Sequence, residues 1–220
     1  MRDQIIDFYS DKETQFSITS FLERVRKMFE HPKVAQDVHS IKSRIKAPSH
    51  LSEKIDRKGK EICPANLFDK VTDLAGIRIL HLRSDQISSI HSLIKEQVEE
   101  GELILHEEPK AYTWDPEAKT LFASLGINTE VKESFYTSVH YVVRANTKPN
   151  ALSCEIQVRT LFEEVWGEMD HLINYPEKSK SLACREQLKV LAKLVSTGSR
   201  LVDSICISNG EHRKSYERAI

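Results

Sequence analysis

Between residues 155 and 159 the sequence reads E-I-Q-V-R. In a strand this spacing turns Glu155, Gln157 and Arg159 to one side, because successive side chains point to opposite faces. Their neighbours Cys154, Ile156 and Val158 are apolar and suit a core. Three more polar sets lie on or beside expected strands. Arg44-x-Lys46 is followed by Lys54, Arg57 and Lys58. Asp73 stands just before, and Arg78 within, the strand of D-L-A-G-I-R-I. Tyr136, Ser138 and His140 alternate in F-Y-T-S-V-H. Taken singly, each set has an ordinary reading: a solvated charged face, a turn aspartate, a half-buried tyrosine. Together they form an inventory for polyphosphate chemistry. A nucleoside triphosphate brings about four negative charges, which call for cations and a magnesium ion. Arginine forks bind phosphate and stack on bases, whereas lysine supplies a point charge. Magnesium takes oxygen ligands and keeps several waters, so two carboxylates from neighbouring strands suffice, and Asp73 and Glu155 are the candidates. A tyrosine beside such a site can stack on a second base. The set suits phosphoryl-type transfer between two nucleotides.

The elements that must carry these groups follow from periodicity. Residues 1–36 read as helices, with Phe21, Leu22, Val25, Met28 and Phe29 at helical spacing. A strand from Val38 to Lys46 carries Lys42, Arg44 and Lys46 on one face, and Leu51 to Arg57 forms a short helix. A-G-I-R-I-L-H-L (75–82) has the apolar, β-branched character of a central strand. Residues 85–99 form an amphipathic helix, E-L-I-L-H-E-E a short strand, and 109–130 a long loop without sustained period. T-S-V-H-Y-V-V-R-A and A-L-S-C-E-I-Q-V-R are strands joined through N-T-K-P-N, a hairpin turn. Leu161 to Ile173 is a helix burying Leu161, Phe162, Val165, Trp166, Met169 and Leu172. A last helix spans about 182–205, with a polar tail over 208–220. The expected fold class is α+β: a mixed sheet of about five strands flanked by helices.

The chain has 220 residues, 40% hydrophobic and 30% charged, with a net charge of −1. That balance suits a globular core and gives no global field for nucleic acid or an anionic membrane. Locally, however, residues 41–60 hold seven lysines or arginines against two acids. The four cysteines are scattered, with no metal-ligand spacing, and are expected to be reduced. There is no apolar run of membrane length and no signal-peptide core near Met1, so a cytoplasmic location without membrane contact is expected.

The ordered set R-I-K…R-K-G, D-L-A-G-I-R, F-Y-T-S-V-H, E-I-Q-V-R-T and Trp166…Asp170-His171…Tyr175 resembles the synthetase domain of the RelA/SpoT family, and more closely a stand-alone small alarmone synthetase. The likeness runs from about residue 20 to about residue 176. It implies a nucleotidyltransferase-like synthetase core over 37–176, with N-terminal helices over 1–36 and a C-terminal helix and tail over 177–220. It also implies an enzyme that moves the β,γ-pyrophosphate of ATP to the 3′-hydroxyl of GDP or GTP, giving (p)ppGpp and AMP with Mg²⁺. Under the resemblance, Arg44 and Arg78 sandwich the adenine, and Lys46, Lys54 and Lys58 hold the ATP phosphates. Asp73 and Glu155 bind magnesium, with Glu155 also taking the proton of the attacking hydroxyl. Tyr136 stacks on the guanine, supported by Lys132, His140, Gln157 and Arg159.

The chain departs from the family pattern at Ser134 and Phe135, where an Asn and a Gly are usual, and at Ser49-His50. Two of these departures fall at the acceptor pocket, which keeps two alternatives open: the same donor chemistry on adenosine nucleotides or the 3′ end of tRNA, as a toxin, or a nucleotide-binding module without turnover. Met169-Asp170-His171 has the reverse order of a hydrolase His-Asp dyad, so no alarmone hydrolysis is expected. The apolar stripe of the last helix (Leu182, Leu188, Leu191, Ala192, Val195 and Leu201) either packs back on the domain or forms a homo-oligomer surface.

Overall fold

The computed structural model describes residues 2–58, 61–146, 152–175 and 177–219, and leaves the side chains of Lys58 and of residues 213–219 undescribed. Three helices open the chain: α1 (Arg2–Ser10), α2 (Lys12–Met28) and α3 (Pro32–Ala35). Asp11 caps α2 by accepting from the backbone N–H of Glu13 (2.9 Å) and Thr14 (3.3 Å), which satisfies donors that a helix start leaves free. Then come β1 (Ser40–Ile45), α4 (Pro48–Lys58), α5 (Leu67–Lys70), β2 (Ala75–His81), α6 (Ile87–Glu99), β3 (Leu103–Tyr112), α7 (Pro116–Ser124), β4 (Asn128–Glu130), β5 (Ser138–Ala145), β6 (Ser153–Thr160), α8 (Leu161–Asn174) and α9 (Leu182–Ala219).

Among the described residues the sheet has six strands rather than about five, in the order β1-β2-β6-β5-β3-β4. β2 and β6 run parallel at its centre, while β1–β2, β6–β5 and β5–β3 are antiparallel. The register sorts the side chains. Ile41, Ile77, Ile79, Ile156, Val158, Val139 and Tyr141 share the face covered by α2 and α6, and the last six are at most 2% exposed. Lys42, Arg44, Arg78, Glu155, Gln157 and His140 share the other. One face is therefore core and the other chemistry, the usual division of labour in a sheet with one wet side.

Three expectations need correction. Residues 109–130 are not a long loop: β3 continues to Tyr112 through two register shifts, α7 follows, and β4 pairs in parallel with β3. The shifts break the period-2 pattern, which hid the strand. The helix signal was present in Asp115-Pro116, since Asp115 accepts from the N–H of Glu117 (2.8 Å) and Pro116 fills the first turn. In α8, Val165, Met169 and Leu172 are exposed (54%, 38% and 73%), while Glu164 and Trp166 are buried. The helix lies on the polar sheet face and turns an acid inward. Finally, α9 is 38 residues long and runs through the expected polar tail to Ala219. The expected hairpin turn at residues 147–150 lies outside the described residues.

Of the stripe on α9, Ala192, Val195 and Leu191 pack back against Trp166, Trp114, Phe135 and Phe162, and buried Leu188 accepts the Trp166 Nε1–H at its carbonyl (2.8 Å). Leu182 and Leu201 face outward. No helix among the described residues is long and apolar enough to cross a membrane.

Candidate active site

The strand β6 runs straight into α8 because Thr160 serves both. It ends the strand, caps the helix by accepting from Glu163 N–H (3.2 Å), and its own N–H donates to the Glu163 carboxylate (2.7 Å). This reciprocal cap needs no linker, so α8 starts at once over the polar face. The first turn of α8 then drops Glu164 among the cations of the sheet. Its Oε1 lies 2.8 Å from both Lys42 Nζ and Arg78 Nη1, and its Oε2 lies 3.1 Å from Arg159 Nε. Glu168, one turn on, takes a second contact with Arg78 at 2.7 Å. Burial opposes the charge of Glu164, but Lys42, Arg159 and Arg78 outweigh it and hold its carboxyl below the usual value. Sequence reasoning missed Glu164 and Glu168 because an amphipathic pattern assigns glutamates of a helix to solvent.

On the donor side, Arg44 and Arg78 flank a cleft of about 190 Å³ floored by Gly76 and walled by Glu155 and Gln157. A Cβ on Gly76 would stand 3.5 Å from Arg44 Nε and take up space in that cleft. Asp73 precedes β2 and is gripped by Lys54 (2.7 Å) and Lys46 (3.1 Å). Burial works against its charge, yet the two ammonium groups prevail and its carboxyl stays below the ordinary range. The expected ATP-binding residues Arg44, Lys46, Lys54 and Arg78 are thus gathered around Asp73 and the cleft. The Lys58 side chain lies outside the described residues.

On the acceptor side the row of β6 is chained by hydrogen bonds. Gln157 Nε2 donates to Glu155 Oε2 (3.0 Å), and Arg159 donates to Gln157 Oε1 (3.3 Å). From β5, His140 Nδ1 reaches Glu155 Oε1 (3.3 Å) while its Nε2 lies 2.8 Å from Tyr136 Oη. That network is met by a ring carrying its proton on Nδ1 and accepting the tyrosine hydroxyl at Nε2. Burial raises the carboxyl of Glu155, as does nearby Asp73, but His140 and Gln157 prevail and leave it lowered. Tyr136 packs on Trp166 (5.8 Å between ring centroids) and Tyr112 (5.9 Å), with the Arg159 guanidinium 5.9 Å from its ring. Lys132 sits at the rim, over Tyr112 (4.4 Å) and against Glu130 (3.1 Å).

Gly76 of β2 is the register partner of Glu155 on the adjacent parallel strand, which brings the two expected metal ligands to one end of the sheet. Both are held ionised, and both offer only hard oxygen donors. Across the face, Lys42, Arg44, Lys46, Lys54, Arg78 and Arg159 stand against Asp73, Glu155, Glu164 and Glu168, a surplus of two positive charges. That is half of the roughly four negative charges on a triphosphate, and a divalent cation supplies the other half. Among the described residues no three His, Cys, Asp or Glu side chains cluster as a full protein cage. Two carboxylates completed by water and phosphate oxygens are how magnesium is usually held, so the residues fit the ion.

Residues 43–180 match the model of the region found in RelA / SpoT proteins. The chain belongs to the RelA/SpoT family. Two curated relatives from Bacillus subtilis (strain 168) are similar to this RelA/SpoT protein. GTP pyrophosphokinase YwaC is 27% identical over 138 residues, 63% of this chain and 59% of YwaC. GTP pyrophosphokinase YjbM is 25% identical over 169 residues, 72% of this chain and 70% of YjbM. The chain thus spans about three fifths of YwaC. Solved structures share the fold. The small alarmone synthetase 1 of Bacillus subtilis bound to its product pppGpp superposes with a TM-score of 0.61 at 20% identity, covering 90% of this chain and 93% of that one. The smu.1046c protein of Streptococcus mutans UA159 gives 0.66 at 17% identity, covering 90% and 94%.

Proposed function

We propose that the protein is a GTP/GDP pyrophosphokinase, transferring the β,γ-pyrophosphate of ATP to the 3′-hydroxyl of GDP or GTP and releasing AMP. The observation that carries this reading is the position of Glu155. It walls the cleft between Arg44 and Arg78 and, through His140, touches the aromatic pocket of Tyr136. One carboxylate thus faces a donor slot on one side and an acceptor slot on the other. Family membership and the names of YwaC and YjbM support the same reaction.

In this reading the adenine stacks between the guanidinium groups of Arg44 and Arg78, with Arg78 braced by Glu164 and Glu168. Lys46 and Lys54, held at the cleft by Asp73, meet the phosphates, and Lys58 of α4 joins them. Tyr136 stacks on the guanine, while Lys132, Gln157 and Arg159 bind the acceptor and its phosphates. A magnesium ion on Asp73 and Glu155 would neutralise charge building on the transferred group. Glu155 accepts the proton of the 3′-hydroxyl as its oxygen bonds to the β-phosphorus. The P–O bond between the α- and β-phosphoryl groups breaks, and AMP leaves with that bond's electron pair. No covalent enzyme intermediate is needed, because positioning and charge neutralisation lower the barrier.

ATP labelled in its γ-phosphate, incubated separately with GDP, GTP, AMP and deacylated tRNA, tests the reading. Label entering GDP or GTP with one AMP released per transfer supports it. Label moving only to AMP or tRNA assigns the donor chemistry to another acceptor, and no AMP release with any acceptor leaves a binding module.

A further inference from the structure

Arg159 also lines a second cavity, larger than the donor cleft at about 210 Å³. It is enclosed by the C-terminal ends of β2 and β6, the start of α6, α7, and the stretch of α9 from Ala192 to Asp203. None of the residues given catalytic or substrate roles lines it except Arg159. Most of its surface is apolar, with Ile87, Phe122, Val139, Val158 and Val195, all at most 7% exposed, among its lining.

Among the polar side chains that also line it, two bear directly on a ligand. His81 is 4% exposed, and its Nδ1 lies 2.8 Å from the carbonyl oxygen of Arg83, so Nδ1 carries the proton and donates. Burial lowers the ring's pKa to about 4, which keeps it neutral and leaves Nε2 as an acceptor with no partner among the described residues. Glu163 is the second, its carboxyl pushed up to about 7 by burial despite the N–H and hydroxyl of Thr160. Burial thus shifts both groups toward their uncharged forms. The other charged groups leave no cation to spare. Arg200 pairs with Glu117 (2.9 Å) and Asp115 (3.3 Å), Arg159 with Glu164 (3.1 Å), and Asp203 accepts from Ser84 N–H (2.9 Å). A phosphate would find no free cation here, and its burial beside three carboxylates would be costly.

We propose that this cavity is a binding site for a small, uncharged aromatic molecule carrying one N–H or O–H donor, which the neutral His81 Nε2 receives. The volume sets the size: an apolar cavity of about 150 Å³ takes up benzene, so this one suits one or two fused rings. An occupant lies against Arg159 and Trp166, which also stand beside Tyr136.

The test uses 5-fluoroindole as the probe, followed by fluorine NMR on the full chain, with 1-methyl-5-fluoroindole as the analogue lacking the donor. It needs no turnover, so it succeeds or fails independently of which acceptor the protein uses. Saturable binding of 5-fluoroindole is expected, with the N-methyl analogue about tenfold weaker because His81 Nε2 stays unpaired. His81→Phe should remove that difference between the two probes, and Val195→Phe, which fills the cavity, should abolish binding of both. Circular dichroism and retained ATP binding verify that each variant is folded. The proposal is overturned by non-saturable binding to the wild type at low millimolar probe. Equal affinity of the two probes, or affinity unchanged in folded Val195→Phe, overturns it as well.

Discussion

The donor and acceptor halves of the polar face are held together by different physics. The donor half is a lattice of charges: Lys46 and Lys54 on Asp73, Lys42 and Arg78 on Glu164 and Glu168. The acceptor half is a packed aromatic cluster, Tyr112, Trp114, Phe135, Tyr136 and Trp166, pinned by α9. Charge pairs tolerate displacement and can exchange one anion for another, which suits groups that must release carboxylates and take up phosphates. Packed rings tolerate little, because a cavity or overlap is felt at once. The donor half is thus built to be rearranged by its ligand, and the acceptor half is built before the ligand comes.

The two halves meet at Glu155, so replacing it has the largest expected effect. Glu155→Gln keeps the shape and removes the carboxylate proposed as proton acceptor and metal ligand. AMP release should fall by about 10³-fold or more, with ATP binding measured by equilibrium dialysis little changed. A variant within tenfold of the wild-type rate would break the idea that one carboxylate serves both halves.

Glu164 holds the donor lattice to α8 and ranks next. Its side chain is 8% exposed and contacts three cations. Glu164→Ala leaves Arg159, 3% exposed, without its carboxylate, and should cost about 3 kcal/mol in urea unfolding. The Michaelis constant for ATP should rise as Arg78 loses its brace. Loss of under 1 kcal/mol would show that the lattice is looser than its distances suggest.

Tyr136→Ala sharpens the contrast from the other side. Stacking of a base on an aromatic ring is worth about 1–3 kcal/mol, so the acceptor Michaelis constant should rise roughly 5- to 150-fold. The constant for ATP should not move. Equal changes in both would mean that the halves are not separable.

A smaller effect appears in the pH dependence of stability. The Glu163 carboxyl is raised in the folded protein to about 7, so between about 4.3 and 7 the native state holds a proton that the unfolded chain has lost. Stability therefore falls as pH rises through that window, by about 1–2 kcal/mol for a side chain that solvent partly reaches. The lowered carboxyls of Asp73 and Glu155 act in the opposite sense and at lower pH, losing their contribution as pH falls below about 4. Glu163→Gln should flatten the upper window in denaturation curves at pH 5 and 8 and leave the acid limb unchanged.

Much of the polar face was legible in the sequence, and the reason is chemical. Arg44-x-Lys46, Asp73 and the alternation of Glu155, Gln157 and Arg159 stand out by charge, and strand periodicity assigns Arg44, Glu155, Gln157 and Arg159 to one face. The core strands were equally plain. What stayed hidden depends on contacts between elements. Glu164 gains its role only when the Thr160 cap starts α8 over the sheet, and β3 past Glu107 is masked by its register shifts. The length of α9 was hidden by the polar residues beyond Ile207, which read as a tail although the helix continues.

Phe135 sets the acceptor half apart most sharply, and its test has the smallest effect. It stands where glycine is usual in the family, and it keeps a glycine-like backbone with φ of 65°. A bulky L-residue in that region costs of the order of 1–2 kcal/mol. The ring offsets this cost by stacking on Trp114 (5.1 Å between centroids, 21° between planes), with Lys189 and Lys193 near 6 Å from its centre. Phe135→Gly gives up the stack and removes the strain, so its stability should stay within about 1 kcal/mol of the wild type. Phe135→Ala gives up the stack and keeps the strain, and should cost about 1 kcal/mol more than glycine does. Alanine below glycine is the reverse of the order at most positions. Denaturant midpoints of the two variants decide it: glycine below alanine would mean that the left-handed backbone is not strained there, and that packing alone holds this half in place.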